Sequence, residues 1–102
     1  MEMAITADPI TAEEGFEYGL IARLAEKGDA VNVAMTLAER IAKNAPLAVA
    51  ASKQLIKATQ GITEEEFWKI QGPLQGKVFT SNDAKEGPRA FAEKRAPEWT
   101  GS

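Results

Sequence analysis

The sequence has no cysteine and no histidine among its 102 residues. Without cysteine there is no disulfide framework, which fits a cytoplasmic setting. Without histidine, the Ser-His-Asp and Cys-His arrangements and the usual zinc constellations are excluded, leaving carboxylates, lysine or tyrosine for any chemistry. No apolar run approaches the ~20 residues that cross a bilayer, so no membrane span is expected. Met1 is followed at once by Glu2, with neither the basic nor the apolar region of a secretory signal. Nor is there an excess of positive charge. Twelve Lys and Arg stand against 15 Asp and Glu, net −3, and no basic stripe is present to neutralise phosphates along a nucleic acid.

What is there suits an ordinary globular chain, 44% hydrophobic and 26% charged. At this length it forms one small domain with little margin for a core of its own, so a partner would help it.

Helix signals dominate. Thr11 with Glu14 is a capping-box pair opening a short helix over Ala12 to Tyr18, and Gly19 suits its left-handed end. Leu20 to Ala25 reads as a short strand, which needs a neighbour such as Met3 to Thr6. Asp29 is placed to cap an amphipathic helix carrying Ala30, Val33, Ala34, Leu37, Ala38 and Ile41 on one face. Pro46 suits the first position of the next helix, which runs to about Thr59, stops before Gly61, and forms a helical hairpin with its predecessor. Thr63 and Glu66 open a further helix by a second capping box. Pro73 falls in its interior, where it forfeits a hydrogen bond to Lys69 and clashes with that carbonyl at about 3 kcal/mol, predicting a kink or a break. Pro88 predicts a helix beginning near it.

The last stretch, Ser81 to Trp99, carries the most pattern. Ser81 is placed as an N-cap, Asp83 and Glu86 oppose the macrodipole at one end, and Lys94 and Arg95 oppose it at the other. Ala84, Gly87, Phe91 and Lys94 fall on one face, which predicts that something packs there. Pro97 stops the helix and Trp99 follows as a ring to be covered.

Glu86, Gly87, Ala90, Phe91, Glu93, Lys94, Arg95, Pro97 and Trp99 resemble the C-terminal pattern of the enoyl-CoA hydratase/isomerase (crotonase) family. The segments Asp8 to Ile21 and Asn44 to Ile56 resemble two further pieces of that family in the same order. The resemblance implies a mainly α chain: the C-terminal helical segment of the crotonase (ClpP/crotonase-like) α/β spiral fold, with one or two short strands near the N-terminus. Residues 1–28 would end the core, and residues 29–102 would form a helical assembly domain. Met1 falls where the family is still inside its core, so an N-terminal crotonase part is expected to be missing. The family's oxyanion-hole N–H groups and two catalytic glutamates belong to that part, so no catalytic residue is carried over and no metal ligand is implied.

The parent reaction implied is reversible hydration of trans-2-enoyl-CoA in fatty-acid oxidation, with acyl-CoA as substrate and no covalently bound cofactor. A related isomerase or hydrolase reaction, or a non-catalytic oligomerisation or acyl-CoA-binding module, remains an alternative. A homo-oligomer, a trimer or dimer of trimers, is the implied assembly. Lys94 is the one cofactor-binding residue the resemblance carries over, near the phosphate or adenine end of CoA, where an ammonium is a suitable point charge. A lysine at a helix's last turn is explained by the dipole alone. The aromatic that family members place four positions before Phe79 is Gln75 here. The acids Glu64, Glu65 and Glu66 read as a solvated first turn.

Overall fold

The structure, a computed structural model, describes residues 2–102. Its elements are α1 (Glu2–Thr6), α2 (Ala12–Glu17), α3 (Ala30–Ala42), α4 (Pro46–Ala58), α5 (Glu64–Phe79) and α6 (Asn82–Ala92). They divide into two units, one ending at Ala38 and the other spanning Glu39–Ser102.

In the first unit the capping box forms. Thr11 Oγ1 accepts from Glu14 N at 3.1 Å, and Glu14 Oε2 accepts from Thr11 N at 2.7 Å. The Thr11 amide and then the Thr11 hydroxyl, which donates to Glu14 Oε2 at 3.0 Å, hold the Glu14 carboxyl below its ordinary range. Gly19 ends α2 at φ 73°, donating to Phe16 O while Leu20 N reaches back to Gly15 O at 2.8 Å. That is the Schellman pairing, which asks its left-handed position for glycine. Gly15 is buried, with the δ-methyls of Ile10 and Ile21 lying where its missing side chain would meet them.

The mainly helical class holds, but the expected strands do not form among the described residues. Met3 to Thr6 belongs to α1, and Leu20 to Ala25 is irregular. A strand persists only when a neighbour takes its backbone groups, and a helical α1 offers none. Asp29 accepts from Val33 N through its carbonyl, while its carboxylate takes the Asn32 side-chain amide. The apolar stripe of α3 is only partly covered: Val33 and Leu37 are half-buried, and Ile41 is exposed.

In the second unit Pro46 begins α4 as its spacing predicts, and Thr59 ends it. Helix α5 packs on α4. Small residues of α4, Ala48 and Ala51, line a groove of about 220 Å³ together with Gln71, Gln75, Val78 and Phe79 of α5. Thr63 caps α5, its Oγ1 accepting from Glu66 N at 3.3 Å while Thr63 N donates to Glu66 Oε2 at 2.8 Å.

The break expected at Pro73 does not occur, since α5 runs through it, and the start expected near Pro88 is corrected: α6 starts at Asn82, and Pro88 lies in its interior. Each proline is preceded by glycine, Gly72 and Gly87. A proline disfavours the helical conformation before it partly by striking that residue's Cβ, and glycine has none to strike.

Burial is sparse. Among the described residues Ala90, 1% exposed, is the one fully buried hydrophobic side chain, whereas Phe91 is 88% and Phe79 69% exposed.

Candidate functional site

The most organised polar region is built on α6 and the tail that folds back along it. Ser81 Oγ accepts from Ala84 N at 3.1 Å and donates to Val78 O at 2.6 Å, so it caps α6 while closing the end of α5. Two residues on, Asp83 is only 3% exposed. Its carboxylate accepts from Thr100 N at 2.7 Å, from Thr100 Oγ1 at 3.2 Å and from Gly101 N at 3.1 Å. The start of the helix thus grips the tail. Asn82 N adds a bond to Ser102 O at 2.6 Å.

Glu86, 7% exposed, does the same one turn later. Oε2 accepts from Arg89 Nη2 at 2.6 Å and from Arg95 Nη2 at 3.0 Å, and Oε1 accepts from Arg95 Nη1 and from Glu98 N at 2.9 Å. The Arg95 hydrogen bond, then the Glu98 amide and Arg89, pull its carboxyl down to about 2 against the opposing effect of desolvation. With Arg89 Nε at 3.1 Å, Oε2 accepts three hydrogen bonds and Oε1 two, so this buried carboxylate keeps its charge without an orphaned lone pair.

Gly87 follows Glu86 directly on α6. The Trp99 ring sits where a side chain on Gly87 would point, 3.5 Å from that position, and Trp99 Nε1 donates to Lys43 O at 2.8 Å. One residue therefore ties α6 to the end of α3, and Gly101 lies against the Pro46 ring at the start of α4. The expected cover for the Gly87 face is Trp99, supplied by the chain's own tail. Phe91, expected to pack there too, is left in solvent.

Lys94 is not in the last turn of α6. The helix ends at Ala92, Glu93 is its C-cap, and Lys94 is the next residue, in the left-handed region at φ 54°. Lys94 N donates to Phe91 O at 3.2 Å and Arg95 N to Ala90 O at 3.1 Å, the same Schellman pairing that α2 closes with Gly19. Here a lysine occupies the glycine position. The flanking side chains are joined across it, Arg95 Nε to Glu93 Oε2 at 2.6 Å. Lys94 itself is exposed, and no ion pair among the described residues involves it.

The other residues singled out by their sequence pattern lie apart from this region. Glu64 accepts from Trp68 Nε1 at 3.1 Å, Glu65 pairs with Lys69 at 2.7 Å, and Glu66 completes the cap, so all three acids are engaged locally on α5. Gln75 lines the α4–α5 groove. No helix among the described residues is long and apolar enough to cross a membrane. The roles of Asp83 and Glu86 are hidden in the sequence, where both read as complements to the dipole. The visible signal is the spacing of Glu86 to Arg89, one helical turn, but their tail partners lie 9 to 18 positions away, outside any local pattern.

The family model for enoyl-CoA hydratase/isomerase matches residues 1–102. An enoyl-CoA hydratase of Mycobacterium tuberculosis is 47% identical over 98 residues, covering 96% of this chain and 37% of that protein. A carnitinyl-CoA dehydratase of Proteus mirabilis is 42% identical, over 98% of this chain and 40% of its own length. Among solved structures, an enoyl-CoA hydratase from Mycobacterium tuberculosis H37Rv superposes at a TM-score of 0.96 with 48% identity, over 100% of this chain and 40% of that one. One from Mycobacterium marinum gives 0.96 and 47% with the same coverage. The chain belongs to the enoyl-CoA hydratase/isomerase family and spans about two fifths of the length of these relatives.

Proposed function

Starting from that membership, we propose that the whole protein adds water reversibly to trans-2-enoyl-CoA in fatty-acid oxidation, in the cytoplasm, as a homo-oligomer built on trimers. In this reading residues 1–28 end the core, residues 29–102 are its helical assembly part, and Lys94 meets a phosphate of the acyl-CoA substrate. The steps at the double bond rest on groups outside this chain: two backbone N–H donors for the enolate oxygen, and two glutamates that move the water and its protons. What this chain's own residues do is bind and assemble.

The observation that carries the binding role is the isolation of Lys94. Arg89 and Arg95 are taken by Glu86 and Glu93, so of the three cations along residues 86–95 only Lys94 has its charge uncommitted among the described residues. An exposed ammonium on a turn is suited to a phosphate as a point charge. Hydration is favoured over isomerisation or thioester hydrolysis because the hydratase and dehydratase relatives are both named for adding or removing water on a CoA thioester. Assembly is supported by the exposed Phe91. That same ring supports the reading from another class, a non-catalytic oligomerisation or acyl-CoA-binding module.

The test is an assay of the whole protein with crotonyl-CoA. Hydration is the expected reaction; a shifted double bond, free CoA or no turnover overturns it in favour of the isomerase, the hydrolase or the module respectively. Lys94→Ala is expected to weaken CoA binding about three-fold at low salt and less at high salt. Unchanged affinity at low salt removes Lys94 from the site.

A further inference from the structure

We propose that Glu86 is a positioning residue for Lys94, holding the turn that presents its ammonium to the acyl-CoA phosphate. The inference rests on the reading of Lys94 as a phosphate contact and assigns the group that makes that contact directional. An exposed lysine ordinarily samples many conformations, and its main chain at φ 54° is one an L-residue avoids. Something has to hold it.

The structure supplies three restraints, and Glu86 is common to two of them. The first is the pair of backbone bonds to Phe91 O and Ala90 O. The second is the Arg95 guanidinium, whose Nη1 and Nη2 are held by the Glu86 carboxylate while its Nε holds Glu93 Oε2. That chain of groups passes from the residue after Lys94 to the residue before it and anchors both to α6. The third is Glu98 N, bonded to Glu86 Oε1 at 2.9 Å, which fixes the tail leaving the turn. A planar fork bound at two edges defines an orientation that an ammonium could not. The arrangement also sorts the charges. Glu86 and Glu93 occupy Arg89 and Arg95, so a phosphate approaching the turn meets the lysine rather than a mobile guanidinium.

The experiment must conserve charge. Glu86→Gln would remove the negative charge that pairs with Arg89 and Arg95, and the added net attraction for CoA would mask any loss of geometry. Glu86→Asp shortens the side chain by one methylene, and Arg95→Lys removes the fork, each leaving the net charge as it is. In the whole protein both are expected to weaken CoA binding about three-fold and raise KM for the acyl-CoA with kcat unchanged. Neither should weaken binding further when Lys94→Ala is already present. Wild-type affinity in the charge-conserving variants, or a loss that persists in the Lys94→Ala background, overturns the proposal. If Glu86→Asp fails to fold, Arg95→Lys carries the same cycle. Wild-type affinity in Lys94→Ala alone would instead refute the phosphate contact, and the positioning role with it, so the two failures are told apart by which single variant is silent.

Discussion

Replacing Lys94 by glycine should stabilise the protein while weakening its hold on CoA. At φ 54° an L-residue costs about 1–2 kcal/mol relative to its ordinary conformations, and glycine removes that cost. Against this, glycine gives the unfolded chain more freedom, worth about 0.5–1 kcal/mol. The bonds that close the turn run from the Lys94 and Arg95 amides to main-chain oxygens and survive the substitution. The net expectation is a gain of about 0.5–1 kcal/mol, read as a higher denaturation midpoint in urea with an unchanged slope. Lys94→Ala is the control, because alanine keeps the left-handed strain and should bring no gain. Both variants lose the ammonium, so both should bind CoA about three-fold more weakly at low salt. A Lys94→Gly protein no more stable than Lys94→Ala would refute the argument that this position is strained.

Phe91→Ala should shift the oligomer towards smaller species in sedimentation, since the ring is 88% exposed on the chain alone; an unchanged assembly counts against a shared surface there. Trp99→Phe should cost about 1 kcal/mol by deleting the bond to Lys43 O, and Trp99→Ala should cost more because the ring over Gly87 goes as well; equal losses would deny the ring a role. The Glu86 carboxyl titrates at about 2 in the folded chain against an ordinary 4.5. Its depressed value means that its contribution to stability is fully present above pH 4.5 and is lost as the pH falls towards 2. Glu86→Gln should therefore flatten the acid decline across that window, and an identical decline in the variant would show that Glu86 is not its source.

The local devices are legible in the sequence alone. Thr11 with Glu14, Thr63 with Glu66, Pro46 at a helix start and Gly19 at a helix end all act within a turn of chain, so their spacing encodes them. The candidate site is half legible: Ser81 as a cap and Lys94 as a cation can be read, but the position of Lys94 beyond the helix cannot. Most C-terminal caps of this kind announce themselves with glycine, and here the announcement is missing. The grip of Asp83 and Glu86 on the tail is invisible because it joins residues far apart in sequence. The strand expected at Leu20 to Ala25 fails for the complementary reason. A strand is a property of a pair, and no second strand forms beside it among the described residues. The helical prolines mislead when taken one residue at a time, because the relevant unit is the Gly-Pro pair.

The indole bond from Trp99 to Lys43 also has a kinetic meaning. The helices that pack here, α4 with α5 and α5 with α6, are neighbours in sequence, so they meet after only short searches. The indole bond closes a loop of 56 positions. Closure of that length carries the larger entropy loss and becomes favourable only once α6 exists to receive the ring. Docking of the tail should therefore be the last event within residues 39–102, and weakening it should accelerate unfolding far more than it slows folding.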